Sequence, residues 1–272
     1  MTHDADVIIV GAGPAGATTA TFLARNGLHV ILADRAQFPR DKPCAEYLSP
    51  QATRVLDELG ALPAIEAAAP AQLAGMRITA PDGTSFLGEF AAGHGFRGFR
   101  DRGLAIRRTI LDAILVDRAR AAGAEVREGV AVRDLLRDGD AICGIITSGN
   151  ATLRAPLVIG ADGLHSIVAR RLGLARVGRW PRRYALVTHY RGVADIGAHG
   201  EMHVYPEGYL GLADVGHGLT NVAVVVPGSQ AKAMSGDPAG FMQRWIASRP
   251  RIAARFAAAT PLAPPKATGP FN

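Results

Sequence analysis

The stretch from Asp6 to Asp34 constrains this chain more than any other part of it. A short apolar run, Asp6 to Val10, leads into Gly11-Ala-Gly13-Pro-Ala-Gly16, an alanine-rich segment to Arg25, and a second apolar run from His29 to Ala33. The pattern predicts strand, glycine turn, helix and strand, a βαβ unit. Gly11 suits a tight turn, Gly13 leaves room for a pyrophosphate against the backbone, and Gly16 lets helix and strand pack closely. Pro14 and Ala15 open the helix, where a proline forfeits no needed hydrogen bond, and Asn26-Gly27 supplies its stop signal. Free N–H groups and a positive dipole end at the helix start suit phosphate. Asp34, 23 residues after Gly11, with Arg35 beside it, is placed to meet ribose hydroxyls. The unit predicts dinucleotide binding, and by itself it does not separate NAD from FAD.

Composition narrows the remaining classes. With 272 residues the chain makes one large domain or two interleaved ones. Hydrophobic residues at 48% and charged residues at 20% describe a globular protein and exclude disordered, collagenous and coiled-coil classes. No apolar stretch approaches the roughly 18 residues of a membrane-spanning helix. His3, Asp4 and Asp6 at the start do not resemble a secretory signal, so a cytoplasmic location is expected. Cys44 and Cys143 form no CxxC or Cys/His cluster, so neither a disulfide framework nor a metal site is expected. The net charge of +6 comes from 27 Arg and three Lys against 24 acidic residues. It fits a solvated basic surface, with attraction to anionic cofactors and peripheral contact with an anionic membrane as the other readings. No basic run is interleaved with aromatics, which argues against nucleic acid.

Beyond Asp34, a proline-punctuated segment from Phe38 to Pro50 reads as a functional loop, followed by a helix to Leu59. Leu73 to Ala80 and Thr84 to Phe90 read as a hairpin, and Gly93 to Gly103 as a connector or access loop. Arg108 to Ala122 reads as a helix. Hairpin signals follow around Asp138-Gly139 and Ser148-Gly-Asn150. Leu157 to Gly160 then reads as a buried strand entering Ala161-Asp162-Gly163, with a helix starting near His165. A second sheet region runs from Tyr184 to Val226, and Pro238 to Ala258 reads as a helix broken at Pro250. Strand alternation puts Glu201, His203 and Tyr205 on one face, Met202 and Val204 on the other, and Val187, His189 and Arg191 together.

Three sites, in this order and spacing, resemble the class A flavoprotein monooxygenase and geranylgeranyl reductase superfamily, with its p-hydroxybenzoate hydroxylase fold. They are Gly11-x-Gly13-x-x-Gly16 with Asp34, Arg108-x-x-Leu111-Asp112, and Asp162-Gly163-x-x-Ser166. The resemblance implies an α/β fold in which a Rossmann-like FAD-binding βαβ domain, residues 1–70 and 100–175, is interleaved with a β-rich substrate domain, residues 71–99 and 176–272. It implies FAD as cofactor, with Arg108 on the pyrophosphate, Arg107 as its competitor, and Asp162 and Gly163 near the flavin. Lys42-Pro-Cys44-Ala45-Glu46-Tyr47-Leu-Ser49 is similar to a reductase stretch that passes beside the flavin ring, except that Ala45, Glu46 and Tyr47 replace glycines. Cys44 and Glu46 are therefore candidate functional groups. His203 and Tyr205 are candidate substrate contacts on the second sheet, able to orient or deprotonate a phenol.

The family's later Gly-Asp motif is absent from this sequence, which suggests a C-terminally shortened member. The activity implied is hydroxylation of a lipophilic aromatic or polyketide-like substrate with NAD(P)H and O2. The alternatives are saturation of isoprenoid double bonds, a flavin-free pyridine-nucleotide dehydrogenase, and a non-catalytic remnant.

Overall fold

Val7-Ile-Ile-Val10 and Val30-Ile-Leu-Ala33 have no polar side to turn to water, and in the computed structural model both are parallel strands with every residue buried. The structure describes residues 2–93, 95, 97–176, 178 and 182–271. His94 and Phe96 of the Gly93 to Gly103 segment, and Trp180, lie outside the described residues.

In chain order the elements begin with β1 (Val7–Val10), α1 (Pro14–Arg25) and β2 (Val30–Ala33). Next come β3 (Tyr47–Leu48), α2 (Pro50–Glu58), α3 (Leu62–Ala67), β4 (Ala71–Leu73), β5 (Gly75–Thr79), β6 (Ser85–Glu89) and β7 (Gly103–Ala105). The middle of the chain gives α4 (Arg108–Ala121), β8 (Glu125–Arg127), β9 (Val132–Asp138), β10 (Ala141–Thr147), β11 (Thr152–Arg154), β12 (Leu157–Gly160) and α5 (Ile167–Arg171). The last third gives β13 (Arg183–Arg191), β14 (His199–Tyr205), β15 (Gly208–Asp214), β16 (Thr220–Pro227), α6 (Ala231–Gly236), α7 (Pro238–Ala247), α8 (Pro250–Arg255), β17 (Thr260–Pro261) and β18 (Lys266–Phe271).

These elements fall into two units. The first comprises residues 1–41, 56–65 and 108–176. Its parallel sheet runs β12-β1-β2-β8, beside an antiparallel sheet β11-β10-β9. Ile8, Val10 and Ile31 pack against Leu135, Ile145, Leu153 and Val168, so the two sheets share one core. The strand β12, expected to be buried, is an outer strand of its sheet, and its Leu157 is 50% exposed.

The second unit comprises residues 42–55, 66–107 and 177–272. Residues 42–55, 66–70 and 100–107, which the family resemblance places in the cofactor domain, cluster here. A three-stranded sheet β3-β7-β4 accompanies an eight-stranded sheet ordered β17-β13-β16-β15-β14-β5-β6, with β18 also paired to β13. The segment containing β18 reads as a tail in sequence, yet Ala267 and Thr268 pair antiparallel with Leu186 and Ala185. At the other edge, β6 leaves Phe86 68% exposed.

The two faces of the large sheet differ. On one, Leu186, Leu210, Leu212, Val222, Val224 and Val226 pack against Met234, Met242, Trp245, Ile246 and Ile252 of α6 to α8. On the other, Ala185, Val187, Ala223 and Val225 form a separate cluster with Tyr209 and Phe271. Cross-strand register extends that second face through Gly211 and Ala213, which lie opposite Ala223 and Asn221.

Candidate functional site

In the first unit, the turn after β1 is built so that backbone, not side chain, meets whatever lies against it. Gly11 sits at φ +100°, and a Cβ there would fall 2.5 Å from the Ala161 carbonyl oxygen. A Cβ on Gly16 would fall 1.8 Å from the Gly11 oxygen, so α1 rests directly on the turn. Gly13 caps α1 with extended backbone and no side-chain hydrogen bond, which leaves the first N–H groups of the helix available to an anion. Pro14 begins the helix, and Ala15 is exposed at its start.

Asp34 is 9% exposed, and its two oxygens accept from the N–H groups of Ala12 at 2.7 Å and Ala36 at 2.8 Å. Those bonds hold the carboxylate at the end of β2 and leave it further lone pairs for hydroxyl donors. Arg35 is exposed beside it.

Arg108 is 8% exposed and clamps Asp112, which is fully buried, through Nε and Nη2 at 2.8 Å each. The guanidinium expected to serve a pyrophosphate thus also neutralises a buried carboxylate one helical turn on. A second guanidinium joins it: Arg40 Nη1 lies 2.9 Å from Asp112 Oδ2, outside hydrogen-bonding alignment. A Cβ built on Gly13 would be 3.5 Å from Arg40 Nη2 and 3.8 Å from Arg108 Nη2. Two cations therefore converge on the side-chain-free face of the turn. Arg40 was not singled out by the sequence, because nothing in Phe38-Pro-Arg40-Asp distinguishes it from a solvated loop arginine. Arg107, the competitor, has a buried Nε without a partner.

The third predicted stretch arrives at the same place. A Gly11 Cβ would lie 2.7 Å from the Asp162 Cα. Asp162 Oδ2 accepts from the Ile167 N–H at 2.6 Å, while its Oδ1 is buried without a partner. Gly163 follows at φ +78°, and Ser166 caps α5 through the Ala169 N–H at 2.9 Å. Glycine turn, paired arginines, Asp34 and the orphaned Asp162 oxygen together fit a dinucleotide with an anionic pyrophosphate.

The second unit holds a different cluster. Glu46 is 3% exposed and stands at φ 60°, a left-handed conformation unusual for a residue with a side chain. Its Oε2 lies 2.6 Å from His189 Nε2 and accepts from Asn221 Nδ2 at 3.0 Å. The same Asn221 amide donates to the Cys44 carbonyl at 2.9 Å, and Cys44 Sγ accepts from the Glu46 N–H at 3.4 Å. His189 is 8% and Asn221 2% exposed. Ala45 is exposed. The Tyr47 hydroxyl is buried without a partner, and burial pushes its pKa up. His189 and Asn221 stand opposite one another at the end of the face that carries Val187, Ala223, Gly211 and Ala213.

His203 and Tyr205 occupy the other face, the one on which the helical layer packs. His203 Nε2 is held 2.7 Å from Glu201 Oε2, and Arg255 Nη1 and Nη2 clamp the same carboxylate at 2.6 and 2.9 Å. Burial alone raises the Glu201 pKa, but the hydrogen bonds from His203 and Arg255 outweigh it and hold the group at about 2. Tyr205 meets Trp245 edge-on at 5.4 Å, with the Arg249 guanidinium 4.4 Å over its ring and 3.3 Å over Trp245. Both residues fasten the helical layer to the sheet. Alternation correctly groups residues by face, but it does not say which face the helices cover. The sequence signal for Asn221 is a polar residue at the head of the apolar run Val222 to Val226, whereas His189, between Thr188 and Tyr190, carries no such signal.

Comparison with known proteins gives this geometry a family. The model of the FAD binding domain family matches residues 4–206. The chain belongs to this family. It is a member of the FAD-dependent class A monooxygenase and geranylgeranyl reductase superfamily of oxidoreductases. A menaquinone reductase of Mycolicibacterium smegmatis is 34% identical over 177 residues, 64% of this chain and 41% of the relative. Digeranylgeranylglycerophospholipid reductase 1 of Methanopyrus kandleri is 30% identical over 236 residues, 83% of this chain and 59% of the relative. A crystal structure of a flavoprotein/dehydrogenase from Cytophaga hutchinsonii superposes with a TM-score of 0.85 at 26% identity, over 97% of this chain and 66% of that one. The chain thus spans well under two thirds of the length of the two reductases. No helix among the described residues is long and apolar enough to cross a membrane.

Proposed function

We propose that the protein is an FAD-dependent monooxygenase that hydroxylates a lipophilic aromatic or polyketide-like substrate at the expense of NAD(P)H and O2. The observation that carries this reading is the second face of the large sheet. Small and short side chains, Ala185, Val187, Gly211 and Ala223, make an apolar floor that ends at the polar group Glu46, His189 and Asn221, while Ala213 beside it packs against Ala71, Leu73 and Ala105. An apolar floor suits a ring, and a hydrogen-bonding end suits a hydroxyl or carbonyl on that ring.

In the first unit, Gly11, Gly13 and Gly16 hold the backbone clear of the pyrophosphate, Arg40 and Arg108 neutralise it, and Asp34 receives the ribose hydroxyls. Bound FAD supplies the two-electron redox chemistry. The protein's own residues bind and orient the substrate and keep its polar group paired.

A second reading has support in the names of the relatives, one a menaquinone reductase and the other a digeranylgeranylglycerophospholipid reductase. In it the same floor would hold an isoprenoid chain whose double bond is saturated. Oxygen uptake and product mass separate the two. Substrate-dependent oxygen consumption with a product one oxygen atom heavier supports hydroxylation. Turnover under anaerobic conditions, with a product two hydrogen atoms heavier and no oxygen demand, replaces hydroxylation with reduction.

A further inference from the structure

We propose that His189 is the proton acceptor for a substrate hydroxyl, held in the required tautomer by Glu46 and Asn221. The substrate class, a phenol-type hydroxyl on an apolar ring, rests on the reading above. An ionised carboxylate can only accept hydrogen bonds. Glu46 Oε2 already accepts from Asn221 Nδ2, and with the same oxygen accepting from the imidazole across the 2.6 Å contact, the proposed tautomer carries its proton on Nε2 and its lone pair on Nδ1. That Nδ1 has no partner among the described residues, and it is not among the fully buried unpartnered atoms. Asn221 bridges Glu46 Oε2 and the Cys44 carbonyl, which fixes the carboxylate from a second side.

The backbone points the same way. Glu46 keeps a left-handed conformation that a glycine would adopt at little cost. The strain is sustained around a side chain whose buried oxygen meets an imidazole. The Tyr47 hydroxyl, on the next residue, is buried and unpartnered. Of the charged groups on neighbouring positions of this face, Arg191 on β13 and Lys266 on β18 are exposed cations. Glu46 is the one carboxylate within ion-pair distance of His189 among the described residues.

In the step, the substrate O–H bond breaks and its electron pair stays on oxygen as a phenolate. The proton forms an N–H bond at Nδ1, and Glu46 balances the imidazolium. No electrons leave or enter. His189 is the group that touches substrate, while Glu46 and Asn221 are positioning residues.

The test uses the 272-residue chain loaded with FAD and 4-nitrophenol as probe, whose phenolate absorbs in the visible. At a fixed pH below the probe's own midpoint, the wild type should raise the ratio of phenolate to phenol in bound probe about tenfold over free probe, the effect of one pKa unit. His189→Gln should return the ratio to that of free probe, and Glu46→Gln should lose most of the rise while still binding. FAD content and circular dichroism report on folding. The wild-type measurement decides even if a variant does not fold: probe bound no more ionised than in solution, or not bound, overturns the proposal. So does an unchanged ratio in folded His189→Gln. A wild type that ionises the probe yet consumes no oxygen with any phenol retires the hydroxylase reading and leaves His189 in place. Hydroxylation by a wild type that does not ionise the probe does the reverse.

Discussion

Arg40 and Arg108 share one fully buried carboxylate, Asp112, and stand together beside Gly13, so their removal should differ in consequence. Arg40→Ala deletes one cation from the turn and leaves Asp112 clamped by Arg108. It should weaken FAD by about 1.5–3 kcal/mol, the worth of a charge-assisted hydrogen bond. Arg108→Ala also takes a bidentate partner from a buried charge, which costs on the order of 3–5 kcal/mol of stability in addition. Flavin titration and urea midpoints on both variants check this; equal affinity for FAD in wild type and Arg40→Ala would remove Arg40 from the site. Glu201 supplies a separate prediction. Its folded pKa of about 2 lies below the ordinary 4.5, so its stabilisation is complete above pH 4.5 and is lost as the pH falls through 2. After allowance for solvent screening this is on the order of 2 kcal/mol. The urea midpoint of the wild type should therefore fall more steeply between pH 4.5 and 2 than that of Glu201→Gln, and parallel acid limbs would show that the carboxylate is not held down.

Among the elements, α1 depends on a contact with no tolerance. With the Gly11 oxygen 1.8 Å from any Cβ on residue 16, Gly16→Ala must lift the helix off the turn. The expected cost is about 3 kcal/mol, or roughly 6–12 °C in Tm for a chain near this size, together with lost FAD binding. A calorimetric Tm within about 2 °C of wild type, well short of that shift, would show that the turn yields. The elements from β1 to β2 were legible because apolar runs, a glycine turn and a helix stop all agree locally. β18 was not legible: Lys266-Ala-Thr-Gly-Pro-Phe271 has poor strand propensity, and it extends because β13, some 80 residues earlier, offers it a free edge. α6 was hidden for a similar reason, its Met234 being drawn into the core beneath the large sheet.

For the molecule as a whole, interleaving was readable and its exact course was not. Three motifs separated by about 50 to 100 residues predicted one nucleotide site, and Gly11, Gly13, Arg108 and Asp162 do converge in the first unit. The course of residues 42–55 is set instead by Glu46 meeting His189 across 143 positions of sequence, a relation with no local signature. The same limit explains His203 and Tyr205. Their face was fixed by alternation, but the layer laid over it comes from residues 231–255, and only the assembled chain shows that Trp245 and Arg255 reach them.

The outermost strand of the large sheet, β6, ends the hydrogen-bonded ladder with Phe86 two thirds exposed and Leu87 40% exposed. Such a margin is where a second molecule adds itself strand to strand during concentration or heating. A lysine in place of Phe86 would act as a gatekeeper, improving the colloidal behaviour of the preparation while every residue of the glycine turn and of the Glu46, His189 and Asn221 group stays as it is.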